Sequence, residues 1–136
     1  MALKNSIRLG AGVLGLLGCA VAPAACDHGT DLVAPIQLPS QITECETHTQ
    51  RVCGTWTLVP GTRTYTAIWS QGSKATISVA QFDSKAVVFD RVDNAGPTPN
   101  MNAHYVGILS GARVNGGAVQ WTDGGVIISG TWDASW

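Results

Sequence analysis

A chain of 136 residues, of which roughly the first twenty read as a leader, leaves enough for one domain with its own core. Its formal net charge is -1, and loss of Lys4 and Arg8 with the leader takes this to -3 with no basic run in what remains, which argues against nucleic acid as a partner. Charged residues make up only 12 %, while glycine (16) and tryptophan (five) are abundant, a composition suited to short strands joined by tight turns.

The chain opens with a basic start, Lys4 and Arg8, followed by an apolar run from Leu9 to about Val21 and then small residues, the three parts of an export signal. That run is short for a permanent membrane span, so the expectation is export. Leu16-Leu17-Gly18-Cys19 resembles a bacterial lipobox, and the resemblance implies cleavage after residue 18, lipidation of Cys19 and an envelope protein anchored in a membrane by its lipid. Ala22-Pro23-Ala24 instead resembles an ordinary signal-peptidase site, which implies a leader of residues 1–24 and simple secretion. Cys26, preceded by Pro23-Ala24-Ala25, is a poorer lipobox match.

Residues 19–44 contain Pro35 and Pro39 and no sustained period, and they read as a tether between anchor and domain. An extended arm packed on the domain through Leu32, Val33, Ile36 and Leu38 is the competing expectation. The all-β domain is placed at residues 45–136, beginning near Cys45. Export puts its thiols in an oxidising compartment, so Cys45 and Cys53 are paired here as a disulfide, worth roughly 2–3 kcal/mol for so short a loop. A metal site from Cys26, His28, Cys45, His48 and Cys53 fits no standard zinc spacing and ranks below the disulfide; no metal or cofactor is expected.

From Val52 onward the chain alternates strand and turn. Val52–Val59 stops at Pro60-Gly61, Arg63–Trp69 at Gln71-Gly72-Ser73, and Lys74–Phe82 at Asp83-Ser84, leading into Lys85–Val92. Asp93 to Asn102 reads as the longest, irregular connection. Ala103–Leu109 follows, and Asn115-Gly116 and Asp123-Gly124 both carry hairpin signals around Ala118–Thr122 and Val126–Trp132. The expected fold is all-β, a seven- or eight-stranded antiparallel up-and-down barrel, with a β-sandwich as the alternative. Gly54-Thr55-Trp56 and Gly130-Thr131-Trp132 favour the barrel, if these strands pair as first and last and their tryptophans cover a barrel end. The Gly-x-Trp of the first strand resembles the avidin-like and lipocalin-like ligand-binding barrels; the likeness covers those residues and the strand count, and no ligand contact of that group is carried over.

Catalytic sets are not found by motif. His104 alternates with Val106 and Ile108 and reads as a structural histidine; Asp90, Asp93 and Asn94 cluster at a strand end; Glu44 and Glu46 flank Cys45 in a stretch read as solvated. Gly10-x-Gly12-x-x-Gly15 mimics a dinucleotide fingerprint, but within the leader. Aromatic side chains are the better clue, and Trp69, His104, Tyr105, Trp121 and Trp136 are the candidate contacts for a ligand or partner. The leading expectation is a non-catalytic envelope or cell-surface binding module for an unknown small molecule, glycan or protein. The alternatives are an inhibitor or partner of an extracellular hydrolase acting through the Asp93–Asn102 loop, and a subunit of a surface assembly.

Overall fold

The computed structural model describes residues 36–136. The leader, Cys19, Cys26, His28 and most of the expected tether lie outside the described residues. Eight antiparallel strands follow one another around a closed barrel: β1 (Gln41–Thr47), β2 (Arg51–Leu58), β3 (Thr64–Trp69), β4 (Lys74–Phe82), β5 (Val87–Ala95), β6 (Asn102–Gly107), β7 (Arg113–Asp123) and β8 (Val126–Ser135). Each strand pairs with its neighbour in sequence, and β1 pairs with β8 from Thr43↔Ser135 to Thr47↔Thr131, which closes the sheet. The sandwich alternative is thereby excluded.

Alternation of side chains sets which residues enter the barrel, because successive side chains on a strand point to opposite faces. Tyr65, Ala67 and Trp69 point inward on β3; Ala75, Ile77 and Val79 on β4; Val87, Phe89, Arg91 and Asp93 on β5. The same rule takes in Ile42, Glu44 and Glu46 on β1. The first strand therefore starts at Gln41, ahead of the expected Cys45, and residues 41–44 belong to a strand instead of a tether. The disulfide joins Cys45 and Cys53, direct cross-strand partners on the face opposite that of Glu44 and Glu46, and so fastens β1 to β2.

Two turns expected from sequence behave differently in the fold. Asn115-Gly116 does not reverse the chain; it forms a bulge inside β7, where the register against β8 shifts between Val114 and Gly117 and Gly116 takes a φ of 62°. A left-handed glycine serves a bulge as well as a hairpin, so the local signal is the same. The stretch from Asp93 is also more regular than expected: β5 continues to Ala95, and residues 96–101 fold into a turn in which the Asn100 N–H donates to the Asp93 carbonyl at 2.9 Å. Pro60-Gly61 and Asp123-Gly124 do turn the chain between strands, with Gly61 at φ 74° and Gly124 at φ 54°.

Because the strands run up and down, the β1–β2, β3–β4, β5–β6 and β7–β8 connections gather at one end, here the mouth. The far end holds the other three connections, the start of β1 and the end of β8. The half of the interior toward the far end is aromatic. Trp56, fully buried, lies edge-on to Phe89 (5.2 Å between centroids) and Tyr105 (5.4 Å) and is stacked on Trp132 at 6.3 Å with 14° between planes. The two Gly-Thr-Trp segments thus sit on β2 and β8 with β1 between them, and their tryptophans fill the interior instead of covering an end. Leu38 packs against this core, Tyr65 Oη donates to the Pro39 carbonyl at 2.9 Å, and Phe82 meets Trp136 at 5.5 Å, which closes the far end.

Candidate functional site at the barrel mouth

The half of the interior toward the mouth is polar, and β1 and β5, on opposite sides of an eight-stranded ring, supply its charges. Two residues apart on β1, Glu44 and Glu46 share the inner face; two apart on β5, Arg91 and Asp93 do the same. Arg91 crosses the barrel: Nη1 donates to Glu46 Oε1 at 2.5 Å and to Tyr105 Oη at 3.0 Å, while Nη2 donates to Asp93 Oδ2 at 2.9 Å and Nε to Asp93 Oδ1, a two-pronged pair. Its guanidinium carbon lies 3.6 Å from the centre of the Trp69 ring, a cation–π contact inside the barrel.

The carboxylates collect further donors. Glu46 accepts from Tyr105 Oη at 2.5 Å and from Trp121 Nε1 at 3.0 Å, in addition to Arg91. Glu44 accepts from Trp69 Nε1 at 2.9 Å through Oε2, whereas its Oε1 has no hydrogen-bond partner although the residue is fully buried. The Trp56 indole N–H is likewise unpartnered. Room for these large rings comes from glycine: a Cβ on Gly54 would lie 2.8 Å from the Trp69 ring, and one on Gly130 2.6 Å from that of Trp121.

Burial decides the electrostatics. It raises the Glu44 carboxyl well above the ordinary carboxylate range, and neighbouring Glu46 pushes the same way against the opposing Trp69 hydrogen bond and Arg91 charge. Glu46 is also raised by burial, with Arg91 the main opposing influence. Burial lifts the Tyr105 phenol well above its usual value, so it stays protonated and donates. Burial works against the Arg91 charge as well, but the hydrogen bonds to Asp93 and the proximity of Tyr105 and Glu46 outweigh it.

Above this network a cleft of about 270 Å³ opens at the mouth, bounded by Glu46, His48, Thr49, Gln50, Val52, Gln71, Met101, Trp121 and Ile128. His48 Nδ1 lies 3.1 Å from the Ser129 carbonyl, an acceptor, so that nitrogen carries the proton and holds the β1–β2 tip against β8 where the β1–β8 ladder has ended. A larger cleft of about 700 Å³ lies on the outer wall near the far end; hydroxyls, Gln41, Arg113 and Trp136 line it, with no Asp or Glu side chain.

Of the residues singled out from sequence, Trp69, Tyr105 and Trp121 come together around Glu44, Glu46 and Arg91. His104 stands on the outer face, its Nδ1 2.7 Å from Asp90 Oδ1 with both side chains about half exposed, and Trp136 lies at the far end. Glu44, Glu46, Arg91 and Asp93 are the participants that residue-type reasoning passed over. The reading of Glu44 and Glu46 as solvated is corrected: they are 0 % and 7 % exposed. For Arg91 and Asp93 the signal was alternation, since Val87 with Phe89 fixes the inner face of β5; β1 offers Ile42 alone. A comparison with family models, curated proteins and solved structures finds no match.

Proposed function

We propose that this protein is a non-catalytic, exported binding module of the cell envelope or surface that takes a small ligand at the barrel mouth. The observation that carries the reading is the 270 Å³ cleft lined by Glu46, whose carboxylate is already oriented by Arg91, Tyr105 and Trp121. Polar groups fixed in advance beside apolar walls are what a small-molecule site requires. Three donors converge on Glu46, an arrangement that holds the carboxylate still. The Cys45–Cys53 disulfide supports export, since such bonds persist in oxidising compartments.

Anchoring through Cys19 is part of the proposal, and mass spectrometry of the mature N-terminus tests it: a lipid-modified Cys19 supports the anchor, and a chain beginning at Ala25 replaces it with secretion. The mouth is tested by a fragment screen of mixed charge followed through the indole N–H signals of the oxidised, isotope-labelled protein. Hits that move the Trp121 signal and leave the far-end Trp136 signal in place support the site. A screen without any such hit refutes it.

A further inference from the structure

Resting on the mouth as the binding site, the pattern of engaged and free polar atoms specifies which ligand it takes. Inside the barrel, among the described residues, the carboxylates of Glu44, Glu46 and Asp93 face a single cation, Arg91. Asp93 is matched by Arg91 through both its oxygens, so the unmatched acidity lies on β1. There, Glu44 Oε1 is a fully buried acceptor without a donor. Glu46 lines the cleft, and its Oε2 receives only the Trp121 N–H and has a further acceptor position, since a carboxylate oxygen carries two lone pairs.

The donors on the cleft wall are differently placed. Trp121 Nε1–H is engaged by Glu46 and His48 Nδ1–H by the Ser129 carbonyl; the other donors of the lining, on Thr49, Gln50 and Gln71, are neutral, and it contains neither lysine nor arginine. An anion entering the cleft would therefore meet a carboxylate with no cation to offset it. A neutral hydroxyl could donate to Glu46 but would leave the excess of negative charge as it was. A positively charged donor answers both, and Val52, Met101, Ile128 and the Trp121 ring offer an apolar wall for the body that carries it.

We propose that the mouth selects small organic ammonium ions, with the ammonium group donating to Glu46 and its charge offsetting the Glu44–Glu46 pair, and the apolar body lying against Trp121 and Met101. A bound cation would also oppose the rise that burial imposes on the Glu44 carboxyl.

The test uses three probes of one shape: benzylammonium, benzyl alcohol and benzoate, titrated into the purified, oxidised protein at neutral pH and low salt while the Trp121 indole signal is followed. Benzylammonium is expected to bind at least about tenfold more tightly than either counterpart, with the preference shrinking as salt rises. Glu46→Gln should abolish the preference. Because that variant disturbs the network, Gln71→Lys, at an exposed rim position, serves beside it and should weaken benzylammonium severalfold while leaving benzyl alcohol unchanged. Equal or tighter binding of the alcohol or benzoate at Trp121 overturns the selection for ammonium and leaves the mouth site standing. Absence of any shift with all three probes, where other fragments do move Trp121, overturns it equally; only a mouth that no fragment perturbs removes both readings.

Discussion

Replacing Glu44 by glutamine isolates the effect of burying an acid deep in the barrel. A carboxyl whose pKa is higher folded than unfolded binds more protons in the folded state. Its stabilising contribution is then complete below the unfolded pKa and is lost as pH rises toward the folded one. Inside that window each pH unit costs the wild type up to about 1.4 kcal/mol for one such group. Glu46, raised by burial but opposed by Arg91, adds a slope of the same sign. In Glu44→Gln the amide oxygen can still accept from Trp69, while the amide NH₂ takes the place of the partnerless Oε1, an unmet donor that costs about 1–3 kcal/mol at every pH. The protonated wild type carries a comparable unmet O–H, so the two proteins should be close in stability near pH 4, at about the unfolded value. The variant should gain on the wild type as pH rises above that value. Urea denaturation followed by tryptophan fluorescence, under oxidising conditions at several pH values, measures the difference. Stability curves that stay parallel from about pH 4 to about pH 8 would show that Glu44 titrates alike in both states, and the electrostatic account of the mouth would fail.

Opening the Cys45–Cys53 bridge with the double alanine variant should cost about 2–3 kcal/mol, read as a lower urea midpoint that added reductant does not lower further. Arg91→Met leaves Asp93 and Glu46 buried without their cation and should cost about 3–5 kcal/mol in equilibrium denaturation. Asp90→Ala, which removes the half-exposed pair with His104 on the outer wall, should change thermal stability by less than about 1 kcal/mol. In Gly117→Ala the new Cβ would lie 2.2 Å from Trp132 Nε1, so the ring or the strand must move; a loss of about 1–3 kcal/mol and an altered near-ultraviolet circular dichroism are expected.

Most of the barrel was legible because β2 to β6 and the second half of β7 carry period-two patterns ending in recognisable turn residues. Lys74–Phe82 coincides with β4 residue for residue, and Thr64–Trp69 differs from its expected span only by Arg63. β1 escaped for a physical reason. Its inner face runs Ile42, Glu44, Glu46, so both faces look polar, and a strand whose inward side chains are charged shows no hydrophobic alternation. The site escaped with it. Trp69, Tyr105 and Trp121 were chosen for what aromatic rings can do, but the carboxylates they serve were read as solvated, since only ring closure tells that β1 faces Arg91 across the interior. His104 and Trp136 were chosen on the same chemical grounds, and the register turned one outward and carried the other to the far end.

Ring closure also orders the assembly. All the ladders but one join strands adjacent in the chain, and each can form as a local hairpin. The β1–β8 ladder instead brings together residues about 90 positions apart, with a correspondingly larger loop entropy to overcome. Until that seam forms, the inner face of β1 remains open to water, and Glu44 and Glu46 stay hydrated. Their dehydration therefore falls on the closing step, after the aromatic strands have met. The open meander tolerates these charges without cost, and it is the seam that must bury them. Proton supply, which eases that burial, thus acts on closure more than on the formation of any single hairpin.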